Sequence, residues 1–107
     1  FDVDKGDNGI DISGAEGSPV RAAAPGRIVY AGSGLRGYGL LLIVKHDETY
    51  LSAYAHNRLL LVSEGDEVGK GQVVAEMGSS GAKSTRLHFE IRQDGKPIDP
   101  LKYLPAR

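Results

Sequence analysis

The sequence predicts an all-β domain built from short antiparallel strands. Glycine and proline recur at intervals of about 8 to 12 residues, which is typical of strands joined by turns. Before the last few residues, no stretch keeps the hydrophobic period of a helix, whereas several stretches alternate polar and apolar residues as a half-buried strand does. We expect one domain over residues 1–107.

Composition excludes several classes of function. The 107 residues include 13 basic and 14 acidic side chains, a net charge of -1, so the chain lacks the positive surface expected of a nucleic-acid partner. It contains no cysteine, which excludes disulfides, thiolate zinc fingers and a cysteine nucleophile. The longest apolar run, 40–44, is far shorter than the ~20 residues that span a bilayer, so we expect no transmembrane segment.

Seven strands are predicted between the turn residues. They cover residues 9–13, 20–23, 27–31, 40–46, 50–56, 72–77 and 87–92. The run at 40–44 is apolar on both faces and indicates a central strand that is buried between layers. A helical turn is expected over residues 100–104.

Three of these strands predict a shared polar face. In 9–13 the two isoleucines are expected to be buried, which places Asp11 outward, and Asp7 too if the strand extends backward. In 50–56 the even-numbered residues share the polar face, and Leu51, Ala53 and Ala55 point to the core. In the third strand the even-numbered residues 86–92 take that face. If the strands are neighbours, they line one groove with Asp7, Asp11, Tyr54, His56, Arg86 and His88.

This set of residues is compatible with a zinc site. Neutral imidazole and carboxylate oxygen are normal zinc ligands, and a catalytic site needs three of them and a water. The alternative is an ordinary surface, because Asp7-Asn8-Gly9 is also typical turn chemistry. The remaining histidine, His46, stands beside two acidic residues at an expected hairpin, and we interpret it as a solvated turn residue.

Residues 64–78 resemble the half-barrel of biotinyl and lipoyl carrier domains. Those carriers present a modified lysine at a hairpin tip. Here the nearest lysine after the tip, Lys83, lacks the flanking pattern of a carrier lysine. This resemblance therefore concerns architecture and implies no function by itself.

The whole pattern resembles the lysostaphin and LytM type of zinc peptidase domain, which cuts peptide crosslinks of bacterial cell walls. Its members carry HxGxD, an isolated later histidine, and HxH before FE. Asp11 matches the aspartate of the first element, but Asp7 stands at its histidine; His56 matches the isolated histidine. His88 matches the second histidine of HxH, and Arg86 replaces the first. The resemblance implies a two-layer antiparallel sheet with a carrier-like half-barrel and a groove.

In that family the first histidine, the aspartate and the last histidine bind zinc, and the other two histidines serve the catalytic water. Arg86 cannot act as a general base, because its guanidinium does not deprotonate. A unit charge about 5 Å from a divalent ion, at an effective dielectric constant near 20, is unfavourable by roughly 6 to 7 kcal/mol. We therefore expect no metal or other cofactor, with Arg86 in place of the ion between Asp7 and Asp11. If well shielded, this pairing predicts a cost of about 1 to 3 kcal/mol for Arg86→Ala.

Within this family the chain is most similar to the degenerate cell-division activators. The similar segments are residues 9–12, 36–39, 45–46, 50–57, 84–92 and 100–105. The resemblance implies an inactive domain that activates a periplasmic N-acetylmuramoyl-L-alanine amidase during septal peptidoglycan splitting and daughter-cell separation. It also implies the C-terminal part of an outer-membrane lipoprotein that binds peptidoglycan through a separate LysM module.

The expected partner contacts are groove residues of the types that dominate protein interfaces, namely Arg36, Tyr38, Tyr54 and Arg86. Two alternatives remain. One is a zinc metalloendopeptidase that acts on peptidoglycan crosslinks with an altered ligand set. The other is a carrier or purely wall-binding domain.

Overall fold

The computed structural model describes residues 7–103, and its strands pair antiparallel throughout. The all-β prediction is thus confirmed. The strands are β1 (Ile10–Ser13), β2 (Pro19–Arg21), β3 (Gly26–Gly32), β4 (Leu40–Lys45), β5 (Tyr50–Leu60), β6 (Glu67–Val68), β7 (Val73–Met77), β8 (Arg86–Gln93) and β9 (Lys96–Ile98).

The sheet is organised around β5, which is its longest strand at 11 residues. The strand order is β1-β8-β5-β4-β3-β6, and β7 pairs with the C-terminal end of β5 and carries β2. β4 lies between β3 and β5, which confirms the prediction of a central strand. β6 and β9 were not predicted, because strands of two and three residues are too short to show an alternating pattern.

The main core lies between the sheet and the β2–β7 pair. Its buried side chains come from seven strands and include Val20, Ile28, Leu42, Val44, Tyr54, Val74 and Phe89. A smaller cluster covers the opposite face of the sheet, with Leu41, Ala53 and Ala55 beneath Tyr30, Tyr38 and Ile43. Both faces of the central strands are therefore covered, which is the reason why β4 is apolar on both sides.

The predicted faces of β5 are reversed in the structure. Tyr54 is opposite Phe89 on β8, their ring centroids are 5.3 Å apart, and Tyr54 is 1% exposed, so the even-numbered residues face the main core. Their polar atoms are hydrogen-bonded there, because the Tyr54 hydroxyl lies 2.7 Å from Ser52 Oγ and accepts from Ala23 N. The prediction was wrong because it treated polar residues as solvent-facing.

His56 still reaches the other face, through a β-bulge. Two steps of β4, Leu42 to Leu40, oppose three steps of β5, Tyr54 to Asn57. His56 has a φ of 67°, in the left-handed region, and its backbone N–H donates to Tyr38 O at 2.9 Å. The bulge interrupts the alternation and places the His56 ring on the same side of the sheet as His88, with ring centroids 6.2 Å apart.

His46 follows β4 in a hairpin, as predicted, but it is only partly exposed and its ring nitrogens bond to the protein. Nδ1 lies 2.7 Å from Pro25 O, and Nε2 lies 2.8 Å from Ser52 Oγ, so both ring nitrogens have partners. The ring instead joins the hydrogen bonds of Ser52 and Tyr54 at the edge of the main core. Local sequence does not predict this, because Pro25 and Ser52 meet His46 only through the pairing of β3, β4 and β5.

A 3-10 helix (Pro100–Lys102) follows β9 and confirms the expected helical turn, of which residue 104 lies outside the described residues. It begins at Asp99, whose side chain accepts a hydrogen bond from Leu101 N at 3.0 Å. Over residues 7–103, no helix is long and apolar enough to cross a membrane.

Candidate functional site

The centre of the site is a pair formed across two strands. β1 and β8 align Asp11 directly opposite His88, so both side chains project from the same face of the sheet. The Asp11 Oδ1 atom lies 2.9 Å from His88 Nδ1. The alternation of β1 and β8 predicted this shared face, and the register brings the two residues into contact.

Glu90 is the site residue that the sequence analysis did not single out. It is 1% exposed, and its Oε2 accepts from the Tyr38 hydroxyl at 3.0 Å and contacts His88 Nε2 at 2.8 Å. Its Oε1 accepts from Arg92 Nε at 2.9 Å. Glu90 was placed on the polar face with His88, but its burial is decided by the loop that brings Tyr38 over β8.

The hydrogen bonds of His88 favour its charged form. Both of its ring nitrogens face carboxylates, which only accept hydrogen bonds when ionised, so the ring can donate to both only as an imidazolium. The hydrogen bond to Glu90 raises the pKa of His88, burial opposes this, and Asp11 adds to the increase. Burial raises the pKa of Glu90, but its bonds to His88 and Arg92 outweigh burial and leave that pKa lowered.

Arg86 also contacts Asp11, with 3.5 Å between its Nη1 and Asp11 Oδ2. The two side chains are 34% and 48% exposed, so the pair is not well shielded from water. Loss of this ion pair in Arg86→Ala should therefore lower the free energy of unfolding by about 0 to 1 kcal/mol, and not by the 1 to 3 kcal/mol expected for a shielded pair. Within the part of the chain that the structure describes, the ion pairs of Arg86 include Asp11 and not Asp7, so Arg86 does not bridge the two carboxylates.

His56 is held by the loop that follows β7. Its Nδ1–H donates to the backbone oxygen of Ser80 at 2.7 Å. Ser80 also packs on Gly39, where a Cβ atom would lie 2.1 Å from Ser80 O and where φ is 63°. Glycine is required at this position because two loops meet there. Ser80 is a second positioning residue that sequence reasoning missed, and no local pattern marks it.

A cavity of about 360 Å³ joins these side chains. Its lining includes Asp7, Asp11, Arg36, Tyr38, His56, His88 and Glu90. The structure thus brings Asp7, Asp11, His56 and His88 together, with Arg36 exposed at the rim and Arg86 attached through Asp11. The prediction that Tyr54 lines the groove and contacts the partner was wrong, because Tyr54 lies in the main core.

A family model described as Peptidase family M23 matches residues 5–100. The chain belongs to peptidase family M23. The match covers all nine strands and every residue that lines the cavity around Asp11 and His88, which we call the M23 groove.

Relatives and solved structures agree with the M23 assignment. A Pseudomonas aeruginosa protein named lipoprotein NlpD/LppB homolog is 66% identical over 92% of this chain and 33% of its own length. The Escherichia coli murein hydrolase activator NlpD is 60% identical over 95% of this chain and 27% of its own length. The catalytic domain of the antimicrobial peptidase lysostaphin from Staphylococcus simulans superposes with a TM-score of 0.86, at 28% identity, over 92% of this chain and 79% of that domain.

The chain spans 33% and 27% of the length of these two relatives, so those proteins contain long segments that have no counterpart here. The M23 domain is the part that they share with this chain. The LytM resemblance and the similarity to NlpD lipoproteins are therefore confirmed for this domain.

The donor set of the M23 groove does not suit a zinc ion in the observed arrangement. A zinc ligand needs the lone pair of a neutral imidazole, whereas both His88 nitrogens contact carboxylates, which raise the pKa of His88 and favour its protonated form. Arg86 occupies the second oxygen of Asp11. Between residues 7 and 103, no three histidine, aspartate or glutamate side chains are grouped so that they could hold one metal ion.

The charge on His88 leads to a prediction for its titration. We expect NMR titration of the imidazole to give a pKa above the ordinary 6.5, and Glu90→Gln to bring it back toward that value because the first cause of the shift is lost. Protonated His88 stabilises the fold below the unfolded-state pKa, and this contribution is lost as pH rises through the higher folded-state pKa. A pKa at or below 6.5 in the parent would contradict the double-donor arrangement.

Proposed function

We propose that this chain is a catalytically inactive M23 domain that activates a periplasmic N-acetylmuramoyl-L-alanine amidase. Activation serves the splitting of septal peptidoglycan and the separation of daughter cells. The observation that carries this proposal is that the Asp11 carboxylate is already held by the Arg86 guanidinium and the protonated His88 ring. Two of the positions that would supply metal ligands, Asp11 and His88, thus pair with other side chains of the domain instead.

Two features support inactivity over a peptidase with altered ligands. Metal-assisted hydrolysis needs an open metal position and a general base, and Arg86 cannot accept a proton. His88, the neighbour of His56 in the groove, has both ring nitrogens in contact with carboxylates, so neither is free for a metal ion. Both features support a groove that binds a partner and does not activate water.

The relatives support the role in cell-wall metabolism. One is named murein hydrolase activator and another is named a lipoprotein, and both share 60% or more of the matched sequence with this chain. We propose accordingly that the domain is the C-terminal part of a lipoprotein tethered to the outer membrane and facing the periplasm. Peptidoglycan binding is assigned to a LysM module outside this chain.

The test compares the domain alone, an amidase alone and the two together on dye-labelled peptidoglycan. We expect the domain alone to release no soluble dye and the mixture to release several times more than the amidase alone. Zinc titration by calorimetry is expected to show no stoichiometric site of sub-micromolar affinity.

Release of dye by the domain alone would support the metalloendopeptidase alternative, provided that a chelator and Asp11→Ala each abolish it. If the domain releases nothing and leaves the amidase rate unchanged, the activator role is refuted. The same domain, unfolded by heating and kept unfolded in denaturant, serves as the control for non-specific effects of added protein.

A further inference from the structure

A second cleft lies on the opposite face of β5 from the M23 groove. It has a volume of about 340 Å³ and lies where the start of β5 meets the ends of β2, β4 and β8. Its lining consists of Ala23, Ala24, His46, Tyr50, Ser52, Lys70, Ile91 and Tyr103. This size is within the range of pockets that hold small ligands.

The back wall of the cleft is formed by a continuous network of hydrogen bonds. Pro25 O accepts from His46 Nδ1, so in the neutral ring Nε2 accepts from the Ser52 hydroxyl at 2.8 Å. Ser52 Oγ in turn accepts from the Tyr54 hydroxyl, which accepts from Ala23 N. Each polar atom of this hydrogen-bond network has a partner. The back wall of the cleft is therefore rigid and offers no free hydrogen-bonding group to a ligand.

The side walls are apolar. The rings of Tyr50 and Tyr103 lie with centroids 6.1 Å apart at an angle of 54°, and they form one side of the cleft. Ile91, opposite Ser52 in the sheet, and the methyl groups of Ala23 and Ala24 form the remainder. A flat or branched hydrocarbon group fits such a surface because it buries apolar area against rings that are already ordered.

The positive charge of Lys70 at the rim of the cleft favours a ligand that also carries an anionic group. Lys70 is exposed in the turn before β7, and the described lining contains no aspartate, glutamate or arginine. Over residues 7–103 Lys70 forms no ion pair, unlike Arg58, Arg86 and Arg92. An anionic group of a ligand would thus meet one positive charge in the lining, whereas the carboxylates of Asp47 and Asp94, which help to raise the pKa of Tyr50, lie outside it.

We propose that this cleft is a second binding site, which takes a small organic acid with an aromatic or branched apolar body. The body lies between the tyrosine rings and Ile91, and the carboxylate lies at Lys70. The site is separate from the M23 groove and does not depend on the function proposed for it. The Ser52–His46 pair takes no chemical role, since Ser52 is 1% exposed and serves the wall.

The test uses 3-phenylpropionate as the probe and records amide shifts of the isotope-labelled chain by NMR. We expect saturable shifts at residues 23, 24, 50 and 91. The uncharged analogue 3-phenylpropanamide and the variant Lys70→Gln should each raise the dissociation constant about threefold, as for loss of a partly exposed ion pair. Lys96→Gln removes an exposed lysine of β9 and should leave the constant unchanged.

Ala24→Leu narrows the cleft and should abolish the shifts. Arg86→Ala, in the M23 groove, should not affect them. Shifts that do not saturate, or that are equal in the parent and Lys70→Gln, would overturn the proposal. Because Lys70 is exposed, that variant gives a decisive answer even if Ala24→Leu does not fold.

Discussion

Glu90→Ala is expected to lower the free energy of unfolding by about 3 kcal/mol or more, the largest effect of any single charged side chain among residues 7–103. The substitution removes the acceptor of three side chains, Tyr38, His88 and Arg92. Glu90 is almost completely buried, so water cannot replace the lost carboxylate without opening the site. Urea denaturation at pH 6 measures the effect, since Glu90 and His88 are both charged there.

The matched control is Glu76→Ala. Glu76 also accepts from an arginine, Arg58 Nε, at 2.8 Å, but these side chains are 28% and 47% exposed. We expect this variant to lose about 0 to 1 kcal/mol, as partly exposed ion pairs do. Equal losses in the two variants would show that the burial of Glu90 contributes nothing, and the account of His88 as an imidazolium held between carboxylates would fail.

The second large effect is expected in amidase activation. Arg36→Ala and Arg86→Ala should fold normally yet weaken amidase binding by about 2 kcal/mol each, or about 30-fold in affinity, as interface hot spots do. Arg36 is exposed at the rim of the M23 groove, and Arg86 contacts the half-exposed Asp11 carboxylate. The measurements are calorimetric binding and dye release at fixed amidase concentration.

Arg27→Ala supplies the control for this experiment, because Arg27 is an exposed arginine of β3 outside the M23 groove. It should bind and stimulate like the parent. Circular dichroism and thermal melting verify that all three variants are folded. If Arg36→Ala and Arg86→Ala also stimulate like the parent, the partner contacts another surface and the groove carries no part of activation.

Local periodicity accounts for much of the fold and part of the site. The alternation of Ile10 and Ile12 around Asp11, and of Leu87 and Phe89 around His88, was enough to place both polar side chains on one face. The apolar run of β4 was enough to predict a central strand. These features are local, because a strand exposes alternate residues on each face whatever its neighbours are.

The same rule failed in β5, where neighbouring elements decide which side is buried. Ser52 and Tyr54 are polar residues, but partners from other parts of the chain, such as Ala23 and His46, satisfy their hydrogen bonds inside the core. His56 then lies on the other face of the sheet because of a β-bulge, which no residue pattern predicts. A prediction from alternation alone therefore selected Tyr54 for the groove.

By itself, the sequence determined an all-β antiparallel chain, a polar face that contains Asp11 and His88, and the replacement of a family histidine by Arg86. Only the tertiary structure decided that Glu90 is buried beneath Tyr38, that Arg86 pairs with Asp11, and that His46 supports a second cleft. The physical reason is that strand alternation acts over neighbouring residues, whereas burial and pairing depend on loops and strands distant in the chain. The protonation states of the site residues depend on these contacts between distant parts of the chain.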